Sequence, residues 1–206
     1  GLADFSGKGV LKTRRLGYDG KGQRVFKDDG PAGAFDALGG VPMILESFVP
    51  FVREVSIIAA RGKDGAIACF DPAENVHRNG ILHTSTVPAA ISGETATAAK
   101  AAAKAILEAL DYVGVIGVEF FVTADGGLIA NEMAPRVHNS GHWTEAACVV
   151  SQFEQHIRAV AGLPLADGAR HSDCVMQNLI GDDIDAVPQW LEKPATLVHL
   201  YGKSEA

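Results

Sequence analysis

The chain has 206 residues, 47% of them hydrophobic, which suffices for one large domain or two modest ones around a real core. A net charge of −7 argues against nucleic acid as the main partner, because a phosphate backbone calls for a broad basic face. No apolar run approaches the about 20 residues that cross a bilayer, and no signal-like start is visible, so a membrane partner is not expected.

Gly9-Val-Leu-Lys-Thr-Arg and Gln23-Arg-Val-Phe read as two short strands joined by Leu16-Gly-Tyr-Asp-Gly-Lys-Gly. The glycines let backbone N–H groups approach an anion closely, and Lys12 or Lys21 adds charge; a flexible hairpin tip accounts for them equally well. The basic runs Lys12-Thr-Arg-Arg and Lys21-Gly-Gln-Arg suit a small phosphate ligand, or simply solvated strand ends. Pro31 to Leu38 is expected as a short helix ending at Gly39-Gly40. A buried strand, Val41-Pro-Met-Ile-Leu, then leads into Glu46-Ser-Phe-Val-Pro-Phe-Val-Arg-Glu54.

Val55 to Arg61 and Ala66 to Phe70 read as the next strands, joined at Lys63-Asp-Gly. Strand edges flanked by Glu46 and Glu54 suit a purine and a ribose, with backbone groups for the base and a carboxylate for the sugar hydroxyls. Two ordinary surface glutamates are the competing account. Asn75-Val-His-Arg-Asn-Gly-Ile-Leu is expected as a loop, with His77 either a polar contact or a structural histidine. Ser92 is placed to N-cap an Ala-rich helix running to about Tyr112, with Glu94 in its first turn and a small-residue face for packing on a sheet.

Val113 to Thr123 and Leu128 to Met133 are β-prone, and Ala124-Asp-Gly-Gly between them signals a turn. With Asp125-Gly126 at the centre, Ala124 faces Gly127, and stepping outward sets Glu119 opposite Glu132. Like charges directly opposed across strands are destabilising. A shared proton with a raised pKa, a bridging divalent cation, or pairing of one Glu with Arg136 or a Lys would each relieve the repulsion; Mg²⁺ with phosphate ligands is the favoured account. Arg136, His138, Asn139 and His142 follow within a few residues on a Pro- and Gly-containing segment. They bring an anion-binding fork, a proton-exchanging ring and an amide to the same place.

Trp143 to Ala161 reads as one further helix, closed by Gly162 and Pro164. Beyond it, strands are expected around Cys174 to Ile180 and Ala195 to Tyr201, with Pro188-Gln-Trp-Leu as a turn or short helix. The whole is α+β with mainly antiparallel strands. Cys69, Cys148 and Cys174 are odd in number and widely spaced, which points to a reducing, cytoplasmic setting. A start at Gly1 instead of Met suggests a piece of a longer or processed protein.

Taken in order, these pieces resemble the ATP-grasp ligases, and among them the 5-(carboxyamino)imidazole ribonucleotide synthases of purine biosynthesis. The resemblance covers nearly the whole chain. It is carried by Val10-Leu-Lys-Thr-Arg-Arg with Gly17-Tyr-Asp-Gly-Lys-Gly-Gln, Glu46 with Arg53-Glu-Val-Ser, Glu74-Asn-Val-His with Gly80-Ile-Leu, and Asn131-Glu-Met-Ala-Pro-Arg-Val-His-Asn-Ser-Gly-His-Trp-Thr. It implies the ATP-grasp fold, with a small lid subdomain over residues 1–52, a large catalytic subdomain over 53–165 and a truncated C-terminal β region over 166–206.

The resemblance also implies roles. Lys12 and the loop Gly17, Tyr18, Gly20, Lys21, Gly22 and Gln23 would cover the ATP phosphates. Glu46, Ser47, Phe48 and Val49 would line the adenine, Glu54 would hold the ribose, and His77 would lie near the nucleotide. Glu119 and Glu132 would bind Mg²⁺, or Mn²⁺ in its place, with Asn131 touching metal or phosphate. Simple alternation puts Asn131 on the face away from Glu132, a conflict that a bulge or a contact from the strand end would remove. Arg136, His138 and Asn139 would grip bicarbonate and the carboxyphosphate formed from it, while Asp19 and Lys203 would face aminoimidazole ribonucleotide. Family members carry a Rossmann-like domain before the stretch matching Val10 and an Arg- and Gly-rich tail after Lys203, and they pair as homodimers. A non-catalytic MgATP-binding module and a different ATP-grasp ligase are the rival readings.

Overall fold

The computed structural model describes residues 8–17, 21–26 and 32–202. They fall into two units: Gly1–Val52 with His77–Ile81, and Arg53–Val76 with Leu82–Ala206.

In the first unit β1 (Gly9–Thr13), β2 (Gln23–Phe26) and β3 (Met43–Ser47) form an antiparallel sheet in the order β2-β1-β3. Thr13 N–H donates to the Gly22 carbonyl at 2.8 Å to close the first hairpin. Only glycine fits at position 22, where φ is +73° and a Cβ would lie 2.6 Å from Thr13 Oγ1. The expected helix at Pro31 to Leu38 shrinks to one turn, α1 (Ala34–Ala37), because Gly33, Gly39 and Gly40 all take positive φ around it. Pro31 itself lies outside the described residues. The third strand starts at Met43, just past Pro42, whose missing N–H cannot join a ladder.

The larger sheet consists of β4 (Arg53–Arg61), β5 (Ile67–Cys69), β6 (Ala73–Arg78), β7 (Ile81–Val87), β8 (Gly114–Val122), β9 (Leu128–Ala134) and β10 (Cys174–Gln177). The order is β10-β7-β6-β4-β8-β9, with β5 also pairing β4, and every registered pair is antiparallel. One face of β4 and β8 offers Val55, Ile57, Ala59, Ile116, Val118, Phe120 and Val122 to α2 (Gly93–Ala109). That helix answers with Ala99, Ala103 and Leu107, four residues apart and so on one stripe. Ser92 caps it as expected, its Oγ accepting from Thr95 N–H at 3.0 Å. The opposite sheet face buries Ile58, Ala60 and Val115 against Phe70, Trp143 and Ala147. Two-sided burial is why β4 reads as an almost unbroken apolar run.

Three further expectations fail. Residues 75–82 are not a loop but most of the β6–β7 hairpin, turned at Asn79-Gly80 with φ of +53° and +80°. An Asn-Gly pair between strands is the sequence signal for such a turn. Trp143 to Ala161 is not one helix but α3 (Thr144–Ala147) and α4 (Gln152–Ala161). Between them Cys148 goes extended and bridges Arg170. Residues 195–201 form no strand; the Pro188 segment is helical, as α5 (Val187–Leu191). Among the described residues no helix is long and apolar enough to cross a membrane.

Asp71 ties these pieces together, accepting from Lys100 Nζ of α2 at 2.8 Å and from Arg170 Nη1. Burial pushes its carboxyl up, but the hydrogen bonds and charges of Lys100 and Arg170 outweigh that and hold it below the usual range. An unfolded Asp titrates near 4, so the stabilisation is complete above about pH 4 and is lost as pH falls through the lower folded value. Asp71→Asn should therefore cost about 1 kcal/mol after allowance for partial exposure, or roughly 2–4 °C in Tm at pH 7. Thermal melts at a series of pH values should show the gap closing below about pH 4.

Candidate active site

The β8–β9 ladder pairs Glu119 with Glu132, so both carboxylates stand on one face of the sheet. The route to that pairing differs from the expected one. Thr123, not Ala124, faces Gly127, its N–H donating to the Gly127 carbonyl at 2.9 Å, and Gly126 takes φ +85° in the turn. Val122 then pairs with Leu128, Phe121 with Ile129 and Phe120 with Ala130, each one residue off the expected register. A bulge restores it: Asn131 is the extra residue, and Asn131 and Glu132 together oppose Glu119. The bulge removes the conflict over Asn131.

Across β8, Ser56 of β4 pairs with Glu119, and Glu54 pairs with both Phe121 and Asn75 of β6. Alternation thus collects Glu54, Ser56, Asn75, Glu119 and Glu132 on one face. Asn75 is fixed there by the buried Ser85, whose Oγ donates to Asn75 Oδ1 at 2.8 Å. His77 lies two residues past Asn75 in β6.

The segment after β9 folds back over this face. His138 covers Gly117, where a Cβ would lie 2.7 Å from the His138 Cβ, so the ring's position depends on the glycine beneath it. Gln152, fully buried at the start of α4, holds both backbone groups of His138: its Oε1 accepts from His138 N–H at 2.9 Å and its Nε2 donates to the carbonyl at 2.7 Å. Nδ1 of His138 meets Ser140 Oγ at 2.8 Å and the Ser140 N–H at 3.4 Å. A neutral ring accepting there carries its proton on Nε2, which faces Glu119 Oε1 at 3.9 Å. That spacing is too long for a hydrogen bond but close enough for charge pairing when the ring is protonated. Asn139 opens a single 3-10 turn, Asn139–Gly141, and Arg136 is exposed, its Nη1 donating to the Val137 carbonyl at 3.0 Å. His142 contacts Tyr201 Oη through Nδ1 at 2.9 Å.

In the first unit, Lys12 Nζ pairs with Glu46 Oε2 at 2.7 Å across β1 and β3. Glu46 and Ser47 end β3, an edge strand of its sheet with Phe48 and Val49 just beyond, while Gly17, Lys21, Gly22 and Gln23 lie around the β1–β2 connection. Tyr18, Asp19, Gly20 and Lys203 lie outside the described residues.

Comparison with known proteins places this geometry. The family model of the ATP-grasp domain matches residues 2–153. The chain belongs to the ATP-grasp family. A second model, the phosphoribosylaminoimidazole carboxylase C-terminal domain, matches residues 174–206. A curated ATP-grasp relative from Brucella melitensis, named N5-carboxyaminoimidazole ribonucleotide synthase, is 64% identical over 100% of this chain and 58% of its own length. An ADP complex of an N5-carboxyaminoimidazole ribonucleotide synthetase superposes with a TM-score of 0.93 at 45% identity, covering 100% of this chain and 55% of that one. The enzyme from Aspergillus clavatus, in complex with ADP and 5-aminoimidazole ribonucleotide, superposes with a TM-score of 0.90 at 29% identity over 98% of this chain and 55% of that one. The chain thus spans little more than half the length of these relatives.

Sequence reasoning gave no role to Ser56 and Asn75, although both stand in the strings that carry the resemblance, and it passed over Ser85, Gly117 and Gln152. For Ser56 and Gly117 the signal was present, a polar or side-chain-free residue inside an otherwise apolar strand; for Gln152 nothing local marked it. Gln152→Ala should destabilise the chain by about 2–4 kcal/mol, since it leaves the N–H and carbonyl of His138 unpaired. Urea denaturation checks this; Gln155→Ala, which unpairs the N–H and carbonyl of Ala166 instead, should cost a similar amount.

Proposed function

We propose that this chain is the ATP-grasp portion of a ligase that carboxylates 5-aminoimidazole ribonucleotide with bicarbonate at the expense of ATP. The products are 5-(carboxyamino)imidazole ribonucleotide, ADP and phosphate. The observation that carries this reading is the Glu119–Glu132 pair with His138 3.9 Å from Glu119 on the same sheet face. The names of the relatives, and the nucleotides in their structures, support the choice of substrates.

The donor set fits Mg²⁺. Among the described residues no group of three or more His, Cys, Asp or Glu could cage an ion alone, and Mg²⁺ is usually held by one or two carboxylates together with substrate phosphates and water. Glu119 and Glu132 would hold it, with Mn²⁺ able to substitute and Asn131 beside them at the bulge. Once bound, the cation supplies charge neutralisation at the transferring phosphoryl group.

The chain's own residues do the rest. Lys12 and the loop Gly17, Tyr18, Gly20, Lys21, Gly22 and Gln23 grip the phosphates, Lys12 exchanging its Glu46 partner for the ligand. Glu46 to Val49 offer edge-strand backbone to the adenine, Glu54 holds the ribose hydroxyls, and His77 lies toward the nucleotide. Arg136, His138 and Asn139 orient bicarbonate so that one of its oxygens attacks the γ-phosphorus as ADP leaves. They then hold the carboxyphosphate, whose carboxyl group, directly or as CO₂, is taken up by the exocyclic amine while phosphate departs. Asp19 and Lys203 face the ribonucleotide, Lys203 at its phosphate. We assign residues 1–52, 53–165 and 166–206 to the lid, catalytic and C-terminal regions of a cytoplasmic homodimer; the three free cysteines suit that setting.

Calorimetric titration with ADP, with and without Mg²⁺, tests the nucleotide and metal assignments. Binding should require Mg²⁺, and Glu132→Gln should weaken it at least about tenfold while Glu94→Gln, in the first turn of α2, leaves it unchanged. Equal effects of the two variants would refute the carboxylate site. In a full-length protein His138→Ala should lose bicarbonate-dependent ADP release by about 10²-fold or more with ADP affinity kept; lost ADP affinity would take His138 out of the bicarbonate role.

A further inference from the structure

Ser56 sits on β4 with Glu119 of β8 directly opposite on one side and Ala73 of β6 on the other. It is 1% exposed, and its Oγ has no hydrogen-bond partner among the described residues. A buried hydroxyl without a partner lowers stability. The strand around it is apolar, with Val55, Ile57, Ile58, Ala59 and Ala60 all buried, and alanine would fill the same place without that cost. The same sheet satisfies a buried serine elsewhere: Ser85, also fully buried, donates to Asn75. What distinguishes Ser56 is its neighbour, one of the two carboxylates.

We propose that Ser56 is a positioning residue for the metal-binding carboxylate, its Oγ–H donating to Glu119 when that side chain turns to the cation. The inference rests on the reading of Glu119 and Glu132 as the Mg²⁺ site. Side chains directly opposed in an antiparallel pair stand about 4.5–5.5 Å apart at Cβ, a gap that a serine hydroxyl and a glutamate carboxylate can close. A ligating carboxylate uses one oxygen on the ion and needs a donor to fix the other, and such outer contacts commonly govern metal affinity. His138 Nε2 stands 3.9 Å from Glu119 Oε1, beyond hydrogen-bond distance, whereas the Ser56 hydroxyl lies in register with Glu119.

Ser56→Ala in this chain separates the proposal from a merely structural serine. Two quantities are measured: the Tm without ligand, and ADP binding by calorimetry across a series of Mg²⁺ concentrations. The Tm should be unchanged or higher, and the Mg²⁺ concentration for half-maximal ADP binding should rise about tenfold, with ADP affinity at saturating Mg²⁺ close to that of the parent. An unmoved Mg²⁺ midpoint, or a lowered Tm, overturns the proposal. Glu132→Gln is run in parallel. If that variant loses Mg²⁺ dependence while Ser56→Ala behaves as the parent, the positioning role falls and the metal site stands. If the parent itself binds ADP without regard to Mg²⁺, both fall.

Discussion

Two like charges held side by side set the conditions for the rest of the second unit. Glu119 and Glu132 repel, and a hairpin free to splay would separate them. This one is not free, because β8 is clamped along its whole length to β4, from Arg53–Val122 to Arg61–Gly114, and both strands are buried on two faces. The repulsion must be met in place instead of by movement. On the function proposed above, that converts a local liability into affinity for a divalent cation.

The segment that brings His138 to the pair is held from below and from the side. Gly117 makes room for the ring, Gln152 ties down both of its backbone groups, and Ser140 orients Nδ1. Gly141 is equally constrained, since a Cβ there would lie 2.4 Å from Gln152 Oε1. Gln152 can reach His138 only because the chain breaks between α3 and α4 and restarts at Ser151, whose Oγ caps the new helix. The break is held by the Cys148–Arg170 bridge, and Arg170 in turn by Asp71. Asp71 also anchors α2, which packs on the far face of the same strands, so the supports of the site and of the core share one carboxylate.

Much of this was legible in the residues. β-prone runs located β4, β8 and β9, Ser92 announced α2, and the carboxylates with Arg136, His138 and Asn139 were read as a candidate site. The order of motifs carried the family. The Asn79-Gly80 hairpin was equally legible, although the stretch was read as a loop.

The Glu119–Glu132 pairing shows where local reading ends. The turn is set one residue away from its expected centre, and the bulge at Asn131 shifts the ladder back, so two departures cancel and the pairing emerges by a different route. Periodicity and turn chemistry act over a few neighbouring residues, so the sequence alone determined β4, β8, β9 and the capped helix α2. Tertiary structure decided the bulge, the break before Gln152, the burial of Ser56 beside Glu119 and the approach of His138. Each of these depends on contacts between residues far apart in the chain, whose free energy no local pattern contains.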